Sequence, residues 1–133
     1  MANALLLDIV LFLKEKELVT DDGVDAFRDF MPEAPDSIVV LQEYAGDPAS
    51  LYDPRVHRSV QVAARAKDAD EARRKAQSIF RTFQESQMAD GRVDLTPNRW
   101  GQVYLRQPPF LLKRDENNRT IYAFNIGITT TIE

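Results

Sequence analysis

The amino-acid sequence predicts an α+β fold, with a mixed or antiparallel sheet of about four strands and two main helices packed on it. Two observations predict this fold. Segments 4–17 and 68–88 carry apolar residues at helical spacing. Segments 37–44, 56–66, 100–107 and 119–132 are runs rich in β-branched and aromatic residues, as in strands. This order of elements favours helices packed on one sheet rather than a repeated β-α-β unit.

The composition predicts one folded domain over residues 1–133. A chain of this length covers one sheet with its helices and leaves too little material for a second core. Hydrophobic residues make up 44% of the chain and charged residues 29%, which is typical of globular proteins. The absence of cysteine excludes disulfides, thiolate metal sites and cysteine nucleophiles.

The first helix is expected to begin near Asn3, which can cap it, and to end in the charged run 14–17. Its apolar part, 4–13, lacks a basic flank, and Asp8 interrupts it. It is also about half of the roughly 20 residues that cross a membrane. We therefore expect a buried helix. Turn-forming residues, together with Pro32 and Pro35, predict an irregular, packed connector at 20–35.

The middle of the chain predicts two strands with a long loop between them. The β-branched run at 37–44 is typical of a central strand buried on both faces, and alternation at 56–66 predicts a half-buried strand. Two prolines and a glycine at 45–55 cannot sustain a strand ladder, so this segment is expected to project. We interpret it as a docking loop, with the candidate contact residues Asp47, Leu51, Tyr52 and Asp53.

The second helix has the clearest start signal, because Asp68 and Glu71 have the spacing of a capping box. It is expected to run to about residue 88 and to end at 90–91. Small and aromatic residues make its apolar side, namely Ala72, Ala76, Ile79, Phe80 and Phe83. The opposite side carries the candidate oligomer contacts Arg73, Arg74 and Arg81.

The last third of the chain is expected to form a hairpin of strands 100–107 and 119–132, with its turn at 115–118. The final strand carries no inward charge and no proline. If it lies at a sheet edge, its unpaired backbone groups can bind another chain. Thr129 and Thr131 are therefore further candidates for oligomer contacts.

No catalytic residue, cofactor or metal site is predicted. His57 is the sole histidine, and we favour a surface strand position for it over an acid–base pair with Asp53. The aspartate pairs 47 with 53 and 68 with 70 are explained by turns and caps. Isolated glycines form no phosphate-binding loop. The sequence thus favours a protein that is not an enzyme.

Charge and surface favour a subunit of an assembly. A net charge of -4 and a pI near 5.1 disfavour tight nucleic-acid binding, and no membrane association is expected. The main alternative is a small-molecule or peptide-binding regulatory module, in which Trp100, Tyr104 and Tyr122 would line a pocket. Aromatic residues at strand spacing more often fill a core.

Motifs along nearly the whole chain resemble one known family. They are MPEAPDSIVV at 31–40, YAGDP at 44–48, VQVAARA at 60–66, EARRKA at 71–76 and PPFLLKRDENNR at 108–119. In this order they resemble the phage minor capsid and tail-terminator-like proteins, which join head to tail.

The resemblance implies a structural virion protein without enzymatic activity. Its members form a homo-oligomeric ring, commonly of six copies, that stops growth of the tail tube and presents a face to the head connector. The resemblance thus implies two partners, the tail-tube protein and the connector. It also implies a location at the neck or tail end of the virion, after assembly in the host cytoplasm. A tail-tube or head-completion protein would share the same features.

Overall fold

The computed structural model describes residues 4–44, 55–89, 92–96 and 99–131. Within them lie two helices and seven strands, which confirms the α+β class with more strands than the four expected. In chain order they are α1 (Ala4–Glu15), β1 (Ala26–Arg28), β2 (Ile38–Tyr44), β3 (Arg55–Ala66), α2 (Ala69–Ala89), β4 (Arg92–Thr96), β5 (Arg99–Leu105), β6 (Phe110–Arg114) and β7 (Thr120–Thr131).

The strands form one mixed sheet in the order β1-β2-β3-β7-β5-β4. β1 is parallel to β2, and the other pairs are antiparallel. β3 and β7 pair over twelve residues, from Arg55 opposite Thr131 to Ala66 opposite Thr120. The far side of β7 is shared, because β5 pairs with its second half and β6 with its first. β7 is therefore the centre of the sheet.

Both helices lie on one face of this sheet, which we call the helix face, and the main core lies between them. Alternate residues of the central strands point into it, including Val60, Val62, Phe124, Ile126 and Ile128, all at most 1% exposed. Phe83 of α2 lies between aromatic partners, with ring centroids 5.5 Å from Phe12 and 6.5 Å from Phe124. The predicted apolar side of α2 is confirmed, because Ala72, Ala76, Ile79 and Phe83 are buried.

α1 buries a wide apolar side, whereas Leu11 is exposed, and the helix ends in a Schellman motif. The Leu18 N–H donates to the Leu13 carbonyl at 2.9 Å, and the Glu17 N–H donates to the Lys14 carbonyl at 3.0 Å. Glu17 takes the left-handed conformation, φ 62°, that glycine usually supplies at this position. The charged run 14–17 thus ends the helix, as expected.

α2 begins at the predicted residue but not with a closed capping box. The Asp68 carboxylate accepts the Asp70 N–H at 3.0 Å, so Asp68 caps the helix. Glu71 does not complete the box, because its carboxylate accepts the Ser37 hydroxyl at 2.9 Å instead. This contact ties the first turn of α2 to the start of β2.

Two expectations about the sheet were wrong. The connector at 20–35 contains β1, which pairs with only three residues of β2 and carries no periodic signal of its own. In the C-terminal third, the two predicted strands do pair, as β5 and β7, and the turn at 115–118 forms. They are not one hairpin, because β6 is a separate strand between them that also pairs with β7, and β4 precedes β5.

β3 is not the half-buried strand that its alternation indicates. Its polar side also carries buried residues, since Ser59 is 2% exposed and Arg65 is 3% exposed. Other parts of the chain cover this second face of the sheet, which we call the open face. β2 is an interior strand, as predicted, and Ile38, Val39, Val40 and Leu41 are buried on both faces.

Gly127 of β7 gives a test of packing on the open face. A Cβ atom at this position would overlap the ring of Tyr104, the residue opposite it on β5. We expect Gly127→Ala to lower the free energy of unfolding by about 1–3 kcal/mol, as overpacking does. In a Tyr104→Ala background the same change should cost almost nothing, because the overlapping ring is gone. Equal costs in both backgrounds, measured by urea unfolding, would contradict this packing.

Candidate assembly surfaces

Two buried arginines hold an irregular segment across the open face. We call this segment, residues 29–36, the strap. The Arg65 guanidinium donates to the carbonyls of Pro35 at 2.7 Å and Asp36 at 3.2 Å, and Arg119 donates to the carbonyl of Glu33. A buried cation needs such acceptors, since leaving it unpaired would be costly. The strap is therefore fixed by charge-assisted hydrogen bonds.

Arg119 also belongs to the turn between β6 and β7. Its Nε donates to the Asp115 carboxylate at 2.7 Å, and the same carboxylate accepts the N–H groups of Asn117 and Arg119. Asn118 completes the turn in the left-handed conformation, φ 64°. One arginine thus connects the strap, the turn and the start of β7.

The pKa values of this cluster follow from its geometry. Burial, and then the positive charge of Arg119, lowers the pKa of Arg65. Burial alone would raise the pKa of Asp115, but hydrogen bonds from Arg119 and Asn117 outweigh it and lower this pKa. The Asp115 carboxylate is therefore bound as an anion.

The strap presents apolar side chains to solvent. Phe30 is 62% exposed although its ring stands edge-on to Phe27 at 6.2 Å, and Met31 is also exposed, as is Val24, which precedes the strap. β6 presents Leu111 and Leu112 in the same way, at 55% and 39% exposure. Exposed apolar groups on ordered segments mark candidate protein contacts.

The predicted arginines of α2 do lie on its exposed side. Arg73 forms an ion pair with Asp70 at 3.0 Å, whereas Arg74 and Arg81 form none with the residues that the structure describes. Arg74 and Lys75 line a pocket of about 360 Å³ between α2 and the start of β2, together with Asp25 and Glu71. Sequence reasoning missed this pocket, because the strand and the helix that form it are distant in the chain.

The expectation of edge pairing by the last strand was wrong. β7 lies inside the sheet, with β3 on one side and β5 and β6 on the other. Thr129 is 7% exposed, and its hydroxyl lies 2.7 Å from Nδ1 of the exposed His57. Thr131 pairs with Arg55 of β3. That the two threonines contact a neighbouring copy stays a prediction, but pairing at a sheet edge no longer supports it.

The predicted docking loop lies largely outside the described residues, including Asp47, Leu51, Tyr52 and Asp53. Its base is well defined. β2 and β3 pair up to Tyr44 opposite Ser59, and Glu43 accepts two hydrogen bonds from Arg58 at 2.5 and 2.7 Å. The ladder at the base of the loop is thus closed by an ion pair.

The aromatic pocket of the alternative, a regulatory binding module, does not form from Tyr104 and Tyr122. Tyr104 lies opposite Gly127, whereas Tyr122 lies opposite Ala64, so the two side chains are on opposite faces of the sheet. Tyr104 instead carries the Arg106 guanidinium 5.6 Å from its ring centre. The described residues include no cluster of three or more side chains suited to a metal ion. No described helix has the length and apolar character to cross a membrane.

Exposed apolar groups and charged side chains, fixed on an ordered sheet, give this protein surfaces suited to contacts with other proteins. The chain belongs to the bacteriophage tail terminator protein family, whose model matches residues 12–132. It is therefore a member of a family of structural phage tail proteins, which act at the tail end of the virion. This confirms the resemblance found in the sequence. No curated protein matches the chain.

The Asp115 turn makes stability depend on pH in a defined direction. The lowered pKa means that the carboxylate stabilises the fold above its ordinary pKa of 3.8, and that this contribution is lost as pH falls through the lower folded-state pKa. We expect Asp115→Asn to lower the free energy of unfolding at pH 7. The difference in free energy of unfolding between the variant and the wild type should shrink below about pH 4.

Glu116→Gln is the matched control, because Glu116 is an exposed carboxylate in the same turn. Urea unfolding from pH 7 to pH 2 measures both variants. An Asp115→Asn deficit that stays constant over this range would show that the carboxylate charge contributes nothing.

Proposed function

We propose that the protein terminates the phage tail as a homo-oligomeric ring of six copies, which binds the tail-tube protein on one side and the head connector on the other. The observation that carries this proposal is the family match, which extends from within α1 to the end of β7. Assembly in the host cytoplasm and a final position at the head–tail junction follow from the same role. Binding alone performs this role, so we propose no enzymatic activity.

The α2 arginines support contacts between neighbouring copies. Arg74 and Arg81 are exposed and without ion pairs among the described residues, so each can bind a carboxylate of another protein. We propose Arg73, Arg74 and Arg81 as ring contacts. Such pairs are exposed at the rim of a contact, so salt should weaken them.

The net charge of the chain supports a conduit rather than a nucleic-acid binder. Each copy carries a net charge of -4, and six copies would make a strongly anionic ring. DNA that passes through such a ring would meet few cations that hold its phosphates. We therefore propose that the ring does not bind duplex DNA tightly.

The ring itself is tested by sedimentation and negative-stain imaging of the purified protein. We expect particles of about six copies with a central hole, and a shift toward smaller species as salt rises from about 50 mM to 1 M, because screening shortens the reach of exposed charges. The triple variant Arg73→Gln, Arg74→Gln and Arg81→Gln should dissociate at lower salt than the wild type. A wild-type protein that is monomeric at all concentrations and salts would contradict the ring.

The docking loop is tested by a deletion. Removal of residues 47–52 should leave the fold intact, because the β2–β3 ladder and the Arg58–Glu43 pair lie outside the deleted segment. The same deletion should abolish head joining or tail binding in an in vitro assembly assay. Unfolding of the deleted protein, seen as loss of cooperative thermal melting, would place the loop in the core.

A further inference from the structure

Two lateral edges of the sheet, at β1 and at β6, carry opposite charge. Residues 20–33, which contain β1, include five carboxylates and one arginine, a net charge of -4. Residues 106–119, which contain β6, include four cations and two carboxylates, a net charge of +2. β1 and β6 lie on opposite sides of the β3–β7 pair. We call residues 20–33 the acidic flank and β6 the basic edge.

The basic edge is available for a partner. β6 pairs with β7 on one side, and no described strand pairs with its other side. Backbone N–H and C=O groups on that side can therefore form hydrogen bonds with an extended segment of another chain. Lys113 and Arg114 are exposed and form no ion pair with the described residues. Leu111 and Leu112 add exposed apolar surface beside these charges.

The acidic flank offers the complementary groups. Asp29 is exposed, and its carboxylate has no hydrogen-bond partner among the described residues. Asp21 pairs only with Lys14, in an ion pair of which about half of each side chain is exposed. Phe30 and Val24 supply exposed apolar surface next to these carboxylates. Both surfaces thus combine uncovered apolar groups with charges of opposite sign.

A second copy of this chain is the partner that fits both surfaces. Two acidic flanks repel each other, so the flank is unsuited to a symmetric contact with itself. The cations of α2 are a poorer complement, because Arg74 and Lys75 line the same pocket as Asp25 of the flank in their own copy. The cations of β6 instead lie on the opposite side of the sheet from the acidic flank. Two different patches on opposite sides give a head-to-tail contact, which forms a ring when the rotation between neighbouring copies closes.

We propose that the basic edge of one copy binds the acidic flank of the next. This contact depends on the ring proposed above and is the one that joins neighbouring copies in it. Lys113 and Arg114 bind the carboxylates of Asp21 and Asp29 on the neighbour. Leu111 and Leu112 pack against Val24 and Phe30. The unpaired side of β6 fixes the orientation of the neighbouring segment.

Charge exchange between the two surfaces tests this contact. The edge variant carries Lys113→Glu and Arg114→Glu, and the flank variant carries Asp21→Lys and Asp29→Asn. Asparagine is chosen because residue 29 has φ 59°, a conformation that asparagine tolerates. Each variant alone should weaken self-association about tenfold or more. The edge variant places carboxylates against Asp21 and Asp29, whereas the flank variant places a cation against Lys113 and Arg114 and removes the charge of Asp29.

A mixture of the two variants should restore the ring. The negative edge of the first then meets the altered flank of the second, which has a cation at position 21 and a net charge reduced from -4 to -1. The unaltered edge and flank attract as well, so copies alternate around an even-numbered ring. A chain that carries all four substitutions should also assemble. Sedimentation of each sample, with circular dichroism to verify folding, measures these outcomes. The charge-matched control is Arg74→Glu with Arg81→Glu, which the flank variant should not rescue.

Two results separate this contact from the ring itself. A wild-type ring that the edge variant leaves intact would overturn the edge-to-flank contact while the ring stands. Dissociation of both variants without recovery in the mixture would also overturn it, because the two surfaces would then not face each other. A monomeric wild type would instead remove the ring, and this contact with it.

Discussion

The twelve-residue pairing of β3 with β7 is the constraint on which the rest of the structure depends. Along both strands, successive side chains point to opposite faces of the sheet. The register of this one pair therefore determines which residues lie on each face. On the helix face, Val60, Val62, Phe124 and Ile126 form the floor of the main core. On the open face, the same register places the buried Arg65 opposite Ile121, near the start of β7. A shift by one residue would exchange these faces, burying polar groups and exposing the core.

The buried arginines give the open face its shape. Arg65 and Arg119 repel each other electrostatically, yet both are at most 4% exposed, because carbonyls of the strap and the Asp115 carboxylate surround them. The strap is the cover that those charges require. By fixing it, the two arginines hold the exposed Phe30 and Met31 in place at the side of the sheet. A feature needed for folding thus also orders a surface suited to a partner.

The sequence was informative where a pattern is local. Helical spacing predicted α1 and α2, and β-rich runs or alternation predicted β2, β3, β5 and β7, because each pattern arises within one element. β1 and β6 are short and depend on partners far along the chain, so no local pattern marks them. Arg65 occupies the polar side of a regular alternation, and only the distant strap makes it buried. For the candidate site, exposure of the α2 arginines was predictable from helical spacing. The interior position of Thr129 was not, since it depends on β5, which pairs with this half of β7.

The central claim is that this protein ends tail growth, and the length distribution of tails tests it most directly. Tail-tube protein of the same phage, polymerised with and without this chain, would be measured by electron microscopy under otherwise identical conditions. With the protein present, tubes should carry a density at one end and stop growing, so that added tube protein no longer lengthens them. Tubes that lengthen equally with and without the protein, and carry nothing at their ends, would contradict the account.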